Sequence, residues 1–275
     1  MFPAHRLAPC VVLLLAASAP VAQAAGEHTG PYAAAIEQAA APSPLSAHVT
    51  VASQYVSRGI RQTWGRPALQ AGADYGRAEG WRAGAWASTV DKRFIDKGSV
   101  EMDVYAGYSR SVGDFGYSVK ATWYHYPGAR VPGSKAGFDY GELAAGLRWK
   151  SVYAKYNYTF TRDFFGVADA RGTGYLDLGA KQEFGPGLLL KLHAGDGRVA
   201  GDGNGVWNWR DLAAGLSRRF EGGWTVALNY TRALGGAGGT SIYDRYNTGN
   251  VRADGRPWAA SAGRRSLVLS LTRRF

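Results

Sequence analysis

The chain has 275 residues, enough for one large domain or two small ones, and a formal net charge of +11. Its single cysteine, Cys10, excludes a disulfide framework and a cysteine-ligated metal site. The basic residues are scattered without a dense run. This distribution favours anionic lipid or an anionic solute over nucleic acid as the partner.

Residues 1–24 have the features of a cleaved signal peptide. Arg6 supplies positive charge, a short apolar run follows, and an Ala-Gln-Ala sequence ending at Ala24 fits the small-residue cleavage pattern. The apolar runs of the chain are far shorter than the roughly 20 residues of a membrane helix, which excludes a helical membrane protein. Residues 25–46, rich in alanine with two prolines near the end, are predicted to be a flexible N-terminal segment.

After this segment, apolar and polar residues alternate with a period of two. In residues 98–109, for example, Met102 and Val104 lie on one face of a strand, and Glu101 and Asp103 lie on the other. Each such segment is about as long as a tilted strand that crosses a bilayer. The twelve segments are 47–57, 68–76, 81–90, 98–109, 115–126, 140–149, 152–161, 175–184, 188–196, 210–220, 224–231 and 265–275.

Long and short connections alternate between these segments. The long ones are 57–67, 90–99, 127–138, 162–174, 197–208 and 232–264, and the short ones are 76–80, 111–114, 150–151, 185–187 and 221–223. An even number of strands, long outer loops and short periplasmic turns are typical of bacterial outer-membrane barrels. The sequence therefore predicts a closed antiparallel transmembrane β-barrel of about twelve strands over residues 47–275, in which strand 47–57 pairs with strand 265–275.

Three tight hairpins predict which residues face each other. The expected pairs are Tyr75 with Trp81, Asp74 with Arg82, Trp149 with Val152, Arg148 with Tyr153, Phe220 with Trp224, and Arg219 with Thr225. The apolar face ends in aromatic residues next to the short turns, where rings suit a membrane interface. They are Tyr75, Trp81, Phe115, Trp149, Phe184, Phe220, Trp224 and Phe275. The alternative, a soluble β-sandwich, would bury such rings in the middle of its strands.

The last strand is similar to the C-terminal targeting signal of outer-membrane proteins, which implies the barrel-assembly machinery as a partner. That signal has alternating apolar residues and a terminal aromatic residue. Arg273 stands where an apolar residue would be expected. The matching residues are Leu267, Leu269, Leu271 and Phe275.

Residues 53–75 (SQYVSRGIRQTWGRPALQAGADY) resemble the TorF family of porins from proteobacteria. The resemblance continues through residues 84–91 and 101–108, and it is specific over about residues 47–126. Ala71 departs from it, because a second glycine would be expected there. The resemblance implies an outer-membrane, porin-like barrel and brings no catalytic residues.

Charged residues on the polar face are the candidate lining of a pore. A charge is inexpensive there, whereas Arg or Lys on the lipid face costs ~2–4 kcal/mol at mid-depth. Opposed charges in a narrow bore can line a solvated path, or they can pair off and close it. The candidates are Arg58, Asp74, Arg82, Glu101, Asp103, Lys120, Glu142, Arg148, Lys155, Asp177, Lys181, Lys191 and Asp211, together with Glu183.

The outer loops carry an excess of arginine, as in the first loop with Arg58, Arg61 and Arg66. Such a mouth would attract anionic solutes or bind the phosphates of lipopolysaccharide, and both interpretations stay open. Neither an enzyme nor a metal site or cofactor is expected, because the histidines have no recognisable spacing to Ser, Asp or each other. The histidines beyond the leader are His28, His48, His125 and His193.

The sequence therefore predicts an exported outer-membrane barrel with one of two functions. The first is a porin-like channel for the passive passage of small solutes, anions among them. The second is a non-conducting barrel with a structural, adhesive or envelope-integrity role, its bore closed by ion pairs or by the loop 232–264.

Overall fold

The computed structural model describes residues 44–77, 79–131, 133–235, 243, 254–256 and 260–275. The predicted signal peptide and residues 25–43 lie outside the described residues, as does most of the loop 232–264. Within these ranges, no helix is long and apolar enough to cross a membrane.

β-Strands make up most of the described chain. In order they are Leu45–Ala52 (β1), Val56–Ser57 (β2), Ile60–Arg61 (β3), Ala68–Gly76 (β4), Gly80–Thr89 (β5), Val100–Val112 (β6), Phe115–His125 (β7), Tyr140–Trp149 (β8), Val152–Thr159 (β9), Gly174–Glu183 (β10), Leu188–Arg198 (β11), Trp209–Arg219 (β12), Trp224–Gly235 (β13) and Ser266–Arg274 (β14). Single turns of 3-10 helix occupy Asn204–Trp207 and Glu221–Gly223.

All of these strands except β2 and β3 form one closed antiparallel barrel of twelve strands. Each strand pairs with its neighbour in sequence, and β1 closes the ring by pairing with both β4 and β14. The prediction of a closed twelve-stranded barrel is confirmed, including the pairing of the first wall strand with the last. Below, the short-turn end and the long-loop end denote the two ends of this barrel.

The first predicted strand is the one that differs most from the structure. β1 begins at Leu45, so two residues of the predicted flexible segment belong to the wall, and it ends at Ala52 instead of residue 57. The alternation predicts Tyr55 on the outward face with Val49 and Val51, and this prediction is wrong: Tyr55 and Val56 are both 0% exposed and lie in the bore. The alternation ends here because the chain leaves the wall after Ala52, so both sides of the segment face the interior.

The outward face of the wall is apolar and exposed around the whole barrel. Trp81 is 74% exposed at the short-turn end, and Leu267 is 64% exposed on the last strand. The eight aromatic residues predicted next to the short turns are all exposed. An apolar belt of this extent far exceeds the patches found on soluble monomers, and it suits lipid.

The hairpin registers agree with the sequence in two of three cases. Trp149 lies opposite Val152, and Arg219 lies opposite Thr225, as expected. In the first hairpin the prediction is wrong: Asp74 lies opposite Gly84, and Arg82 lies opposite Gly76. The corrected pairs in this hairpin also set Tyr75 opposite Ala83 instead of Trp81.

The first hairpin differs because its last pair is Gly76 with Arg82, so the five-residue connection is 77–81 instead of 76–80. The register shifts by two residues, and a shift of two leaves every side chain on its predicted face. Asp74 and Arg82 therefore remain inward neighbours on a diagonal, with 3.9 Å between Asp74 Oδ1 and Arg82 Nε.

Glycines on the inward face make room for large rings in a narrow bore. A Cβ at Gly179 would lie 2.5 Å from the ring of Tyr153, and a Cβ at Gly84 would overlap the hydroxyl of Tyr105. A twelve-stranded barrel is little wider than the eight-stranded case that side chains fill completely. The high glycine content therefore lets the wall hold aromatic side chains without closing the bore at every level.

Candidate functional site

A short hairpin of the first loop lies inside the barrel. Strands β2 and β3 pair through Val56 with Arg61 and Ser57 with Ile60, and the turn between them is Arg58-Gly59. Both turn residues have positive φ, 47° and 78°, as in the type I′ turns that suit two-residue hairpins. We refer to residues 55–64 as the inner hairpin.

The inner hairpin crosses the bore, because it leaves the wall between β1 and β4 and its tip contacts inward residues of β12 and β8. The indole N–H of Trp209 on β12 donates to the main-chain oxygen of Arg58 at 3.0 Å. Gly59 packs so closely on Asp211 that a Cβ at this glycine would lie 2.5 Å from that of the aspartate. On the other side, Arg58 reaches Glu142 on β8.

The guanidinium of Arg58 has a complete set of partners. Its Nη1 and Nη2 donate to the two carboxylate oxygens of Glu142 at 2.8 and 2.6 Å. It also lies 4.3 Å above the ring centre of Tyr175. The side chain is 9% exposed. A non-glycine residue with positive φ costs ~1–3 kcal/mol and persists only where its surroundings compensate, and this pairing provides the compensation.

The carboxylates predicted to line the pore form the wall around this tip. Glu101, Asp103, Glu142, Asp177 and Asp211 all point inward and are all buried. Each lies within the first four residues of its strand, counted from the long-loop end. These residues therefore face the inner hairpin and one another, and the hairpin covers them on the side of the long-loop end.

A buried histidine joins two of these carboxylates. His193 Nδ1 lies 2.8 Å from Asp177 Oδ1, and His193 Nε2 lies 2.8 Å from Asp211 Oδ2. The hydroxyl of Tyr175 donates to Asp211 at 2.8 Å, and Lys155 Nζ lies 2.9 Å from Asp177. Since both ring nitrogens face acceptors, the arrangement suits the protonated ring.

This histidine cluster continues into the hairpin contacts. Tyr175 belongs to it and its ring also contacts the guanidinium of Arg58, so the polar contacts are continuous from Lys155 through the cluster to Arg58 and Glu142. Sequence reasoning missed the cluster. The signal that could have revealed it was the register of β10, β11 and β12. In this register Gly179, His193 and Ala213 lie side by side, so Asp177 and Asp211 are diagonal neighbours of His193.

Packed loops form a roof over the inner hairpin at the long-loop end. Trp64 of the hairpin stacks on Phe94 at 6.0 Å, and Phe94 lies 5.6 Å from Phe165. The main-chain N–H of Asp91 donates to the oxygen of Gln62, which ties the second long loop to the hairpin. The roof also holds Ile95, Tyr126, Phe138, Phe164, Val167, Tyr243 and Ala262.

An ion pair fixes the loop that carries Phe94. Arg93 donates to the two oxygens of Asp91 at 2.7 and 2.6 Å, and its main-chain N–H donates as well, at 2.9 Å. Burial alone would raise the pKa of Asp91. The hydrogen bonds from Arg93 and the charge of Arg66 outweigh burial and hold that pKa below its usual range.

The predicted bases of the wall lie nearer the short-turn end than the carboxylates do, although Lys155 reaches Asp177 and Lys120 is at mid-strand. Each is among the six residues of its strand nearest a short turn. Arg219 and Arg274, which the sequence did not single out, lie on the inward face at the same end. Only Asp74 and Glu183 among the predicted acids are at this end. The predicted bases of the wall are Arg82, Lys120, Arg148, Lys155, Lys181 and Lys191.

The structure thus places every predicted pore-lining residue of the strands on the inward face, but it separates them by charge along the axis. Arg58 is the exception, because it belongs to the inner hairpin and not to a wall strand. Arg61 is buried too, so the first loop does not form the exposed basic mouth that the sequence suggested. In the described chain, no group of three or more His, Cys, Asp or Glu is placed to hold a metal ion.

The residues of the C-terminal signal lie on the outer surface of the last strand. Their side chains are exposed on the apolar face, where an assembly partner or lipid can reach them. Their role in assembly stays a prediction. They are Leu267, Leu269, Leu271 and Phe275.

Solved structures resemble this barrel at low sequence identity. The KdgM porin superposes with a TM-score of 0.52 over 84% of this chain and 99% of its own, at 8% identity. A chain from a study of in-meso crystallisation of membrane proteins has a TM-score of 0.48, with 11% identity over 84% of this chain and 83% of its own. OpdO of Pseudomonas aeruginosa has a TM-score of 0.39, with 13% identity over 86% of this chain and 67% of its own.

At these identities, the likeness shows the fold alone. No curated protein matches the sequence. The comparisons do not confirm the TorF family, so that finer resemblance stays a prediction. The match covers residues 36–254, from the N-terminal segment into the last long loop. The chain therefore belongs to the family described as bacterial proteins of unknown function, Gcw_chp.

Proposed function

We propose that the chain is an outer-membrane channel for small solutes and that the inner hairpin is its constriction. One observation carries this proposal: a loop segment lies across a polar bore and is held there by an ion pair and hydrogen bonds. Charged groups along the bore are compatible with a solvated path for solutes.

The membrane setting rests on the outer surface and on the sequence. The exposed apolar belt would be costly in water. The predicted signal peptide indicates export, and short turns at one end are typical of bacterial outer-membrane barrels, in which that end faces the periplasm. The TorF resemblance and the fold shared with the KdgM porin agree with this assignment.

A second candidate function, a non-conducting barrel, is favoured by a different observation. Phe94, Ile95 and Tyr55 are each 0% exposed, so the roof and the hairpin together leave apolar side chains fully packed over the bore. A barrel closed in this way would conduct no solute, and it would contribute to the cell envelope through its outer surface alone.

Conductance of the purified full chain in planar bilayers separates the two functions. In one variant, residues 55–63 are replaced by a Gly-Ser segment of equal length, which keeps the loop and removes its contacts in the bore. In the matched control, the exposed residues 202–206 are replaced in the same way. Folding of each variant is checked by the heat-dependent gel shift of intact barrels.

If the channel proposal holds, the wild type gives small discrete steps, the hairpin variant gives steps several-fold larger, and the control matches the wild type. Absence of current in the wild type and in the hairpin variant would establish the non-conducting alternative. Equal steps in wild type and hairpin variant would show that the constriction lies elsewhere.

A further inference from the structure

Three arginines meet on the inward face at the short-turn end. Arg82 is the third residue of β5, Arg219 is the last of β12, and Arg274 is the last of β14. Arg274 is close enough to the other two to be repelled by both. We refer to these three residues as the arginine cluster.

Negative charge around the cluster is sparse. Asp74 is the acidic neighbour that attracts Arg274, and its Oδ1 already accepts the hydroxyl proton of Tyr105 at 2.7 Å. His48 lies opposite Arg274 in the register and adds a polarisable ring to the same face. Arg82 and Arg274 both act on this carboxylate, and Arg219 acts on Arg274, so positive charge exceeds negative charge in this part of the bore.

The side chain of Arg274 also contains an unsatisfied donor. Its Nε is buried and has no hydrogen-bond partner among the described residues. A buried donor without an acceptor costs about 1–3 kcal/mol, more when it is charged. Crowded like charges and an unsatisfied N–H would both be relieved by one group, an anion with oxygen acceptors.

The surrounding wall strengthens the attraction for an anion. Lys181 and Lys191 are directly opposite each other on β10 and β11, which places two like charges at the closest cross-strand spacing. Arg148 lies on the inward face at the same end. The field at this end of the bore is therefore positive over much of its circumference, and it extends about 8–10 Å at physiological salt.

We propose that the arginine cluster is a binding site for a carboxylate or phosphate group of an anionic solute. The planar guanidinium fork matches both groups, with two parallel N–H···O bonds to each. The identification of the ligand as a transported solute rests on the proposed channel function. Binding of the anion itself does not.

Two double variants test the site with matched chemistry. Arg219→Gln with Arg274→Gln removes two charges from the inward face of β12 and β14. Arg218→Gln with Arg273→Gln removes two charges from the adjacent outward positions of the same strands. A third variant, Arg82→Gln, alters the cluster from β5 and serves if the first double variant does not fold.

The probe is inorganic phosphate, titrated calorimetrically against the full chain folded in a lipid-free detergent, with chloride at equal ionic strength as the blank. The wild type and the outward double variant should bind phosphate alike. The inward double variant should bind about tenfold more weakly or not at all, and Arg82→Gln should also weaken binding. In planar bilayers, the reversal potential in a KCl gradient should show anion preference in the wild type, and this preference should fall only in the inward variants.

The outcomes separate this site from the channel proposal. Loss of phosphate binding in the inward variants, in a barrel that carries no current, would retain the site and overturn the channel. Equal affinity in all variants, or equal loss in the inward and outward pairs, would overturn the site. A wild type that ignores free phosphate but binds phosphatidylglycerol micelles would hold a lipid headgroup, which overturns the assignment to a solute.

Discussion

The two halves of the bore are built from the same strands and the same alternation, yet they differ in what lies across them. At the long-loop end, the inner hairpin and the roof cover the inward carboxylates, and Arg58 and His193 pair with three of them, Glu142, Asp177 and Asp211. At the short-turn end, bases outnumber acids, and Arg82, Lys181 and Arg274 are only partly buried.

The difference follows from the opposite effects of burial and of water on charge. A buried pair is strongly disrupted when one partner is removed, because the other charge is left without solvation. A water-exposed charge interacts weakly with any single neighbour, but its field acts on mobile ions. Under the proposed function, the covered half would hold the constriction in place, and the basic half would act on the solutes that pass.

The largest effect is expected from Glu142→Gln. This change leaves the guanidinium of Arg58 without its carboxylate, and breaking a buried pair in this way costs ~3–5 kcal/mol. The inner hairpin should lose its contact with β8 for part of the time. This loss should appear as frequent steps to a higher conductance in single-channel recordings. Glu183→Gln, at an exposed acid of the short-turn end, is the control and should behave as wild type. Equal gating in both variants would contradict the role of the ion pair.

A smaller displacement is expected from Gly59→Ala. The new Cβ would lie 2.5 Å from that of Asp211, and the residue keeps a φ of 78°, so both clash and strain push the hairpin out of the bore. Gly113→Ala is the control, because its φ of 58° imposes similar strain and no atom lies within 4 Å of the new Cβ. The same conductance measurement should respond to the first change only. A response to both would indicate general destabilisation of the barrel.

Acid should loosen the roof through Asp91. Its pKa is held below the ordinary 3.8, so its contribution is fully present above that value and is lost as pH falls through the lowered pKa. Single-channel recordings should therefore show no change attributable to this group between pH 7 and 4, and larger or noisier steps below it. Asp91→Asn should show the loosened behaviour already at neutral pH. Asp169→Asn, in the exposed pair with Arg162, should leave the recordings unchanged.

The smallest effect belongs to Asp74 and Arg82 at the short-turn end. The two side chains are 17% and 6% exposed, but their 3.9 Å separation is at the long limit of an ion pair, so we expect the pair to contribute little. Exchanging the two residues should leave the heat-dependent gel shift nearly unchanged, whereas Asp74→Arg alone adds a fourth guanidinium to the arginine cluster and should lower the melting temperature by a few degrees. A single change as harmless as the exchange would show that the two side chains do not interact.

The sequence by itself determined the wall of this protein. Alternation assigns each residue to a face because successive side chains of a strand point in opposite directions, whatever lies nearby. It therefore placed Glu101 inward and Met102 outward correctly, and it survived the two-residue error in the first hairpin. The sequence also contained the separation of acids from bases along the barrel axis. The number of residues between each charged residue and its nearest short turn gives the level of that residue in the wall.

Only the tertiary structure decided what fills the bore. Arg58 and Glu142 are 84 positions apart, and Arg58 and Trp209 are 151 apart. Such contacts exist only after the ring has closed, and no local pattern encodes them. Tyr55 shows the limit: the alternation of the first segment places it on the outward face with Val49 and Val51, whereas the structure buries it in the bore. Its position depends on the closed barrel and on Glu142, which binds Arg58 inside that barrel.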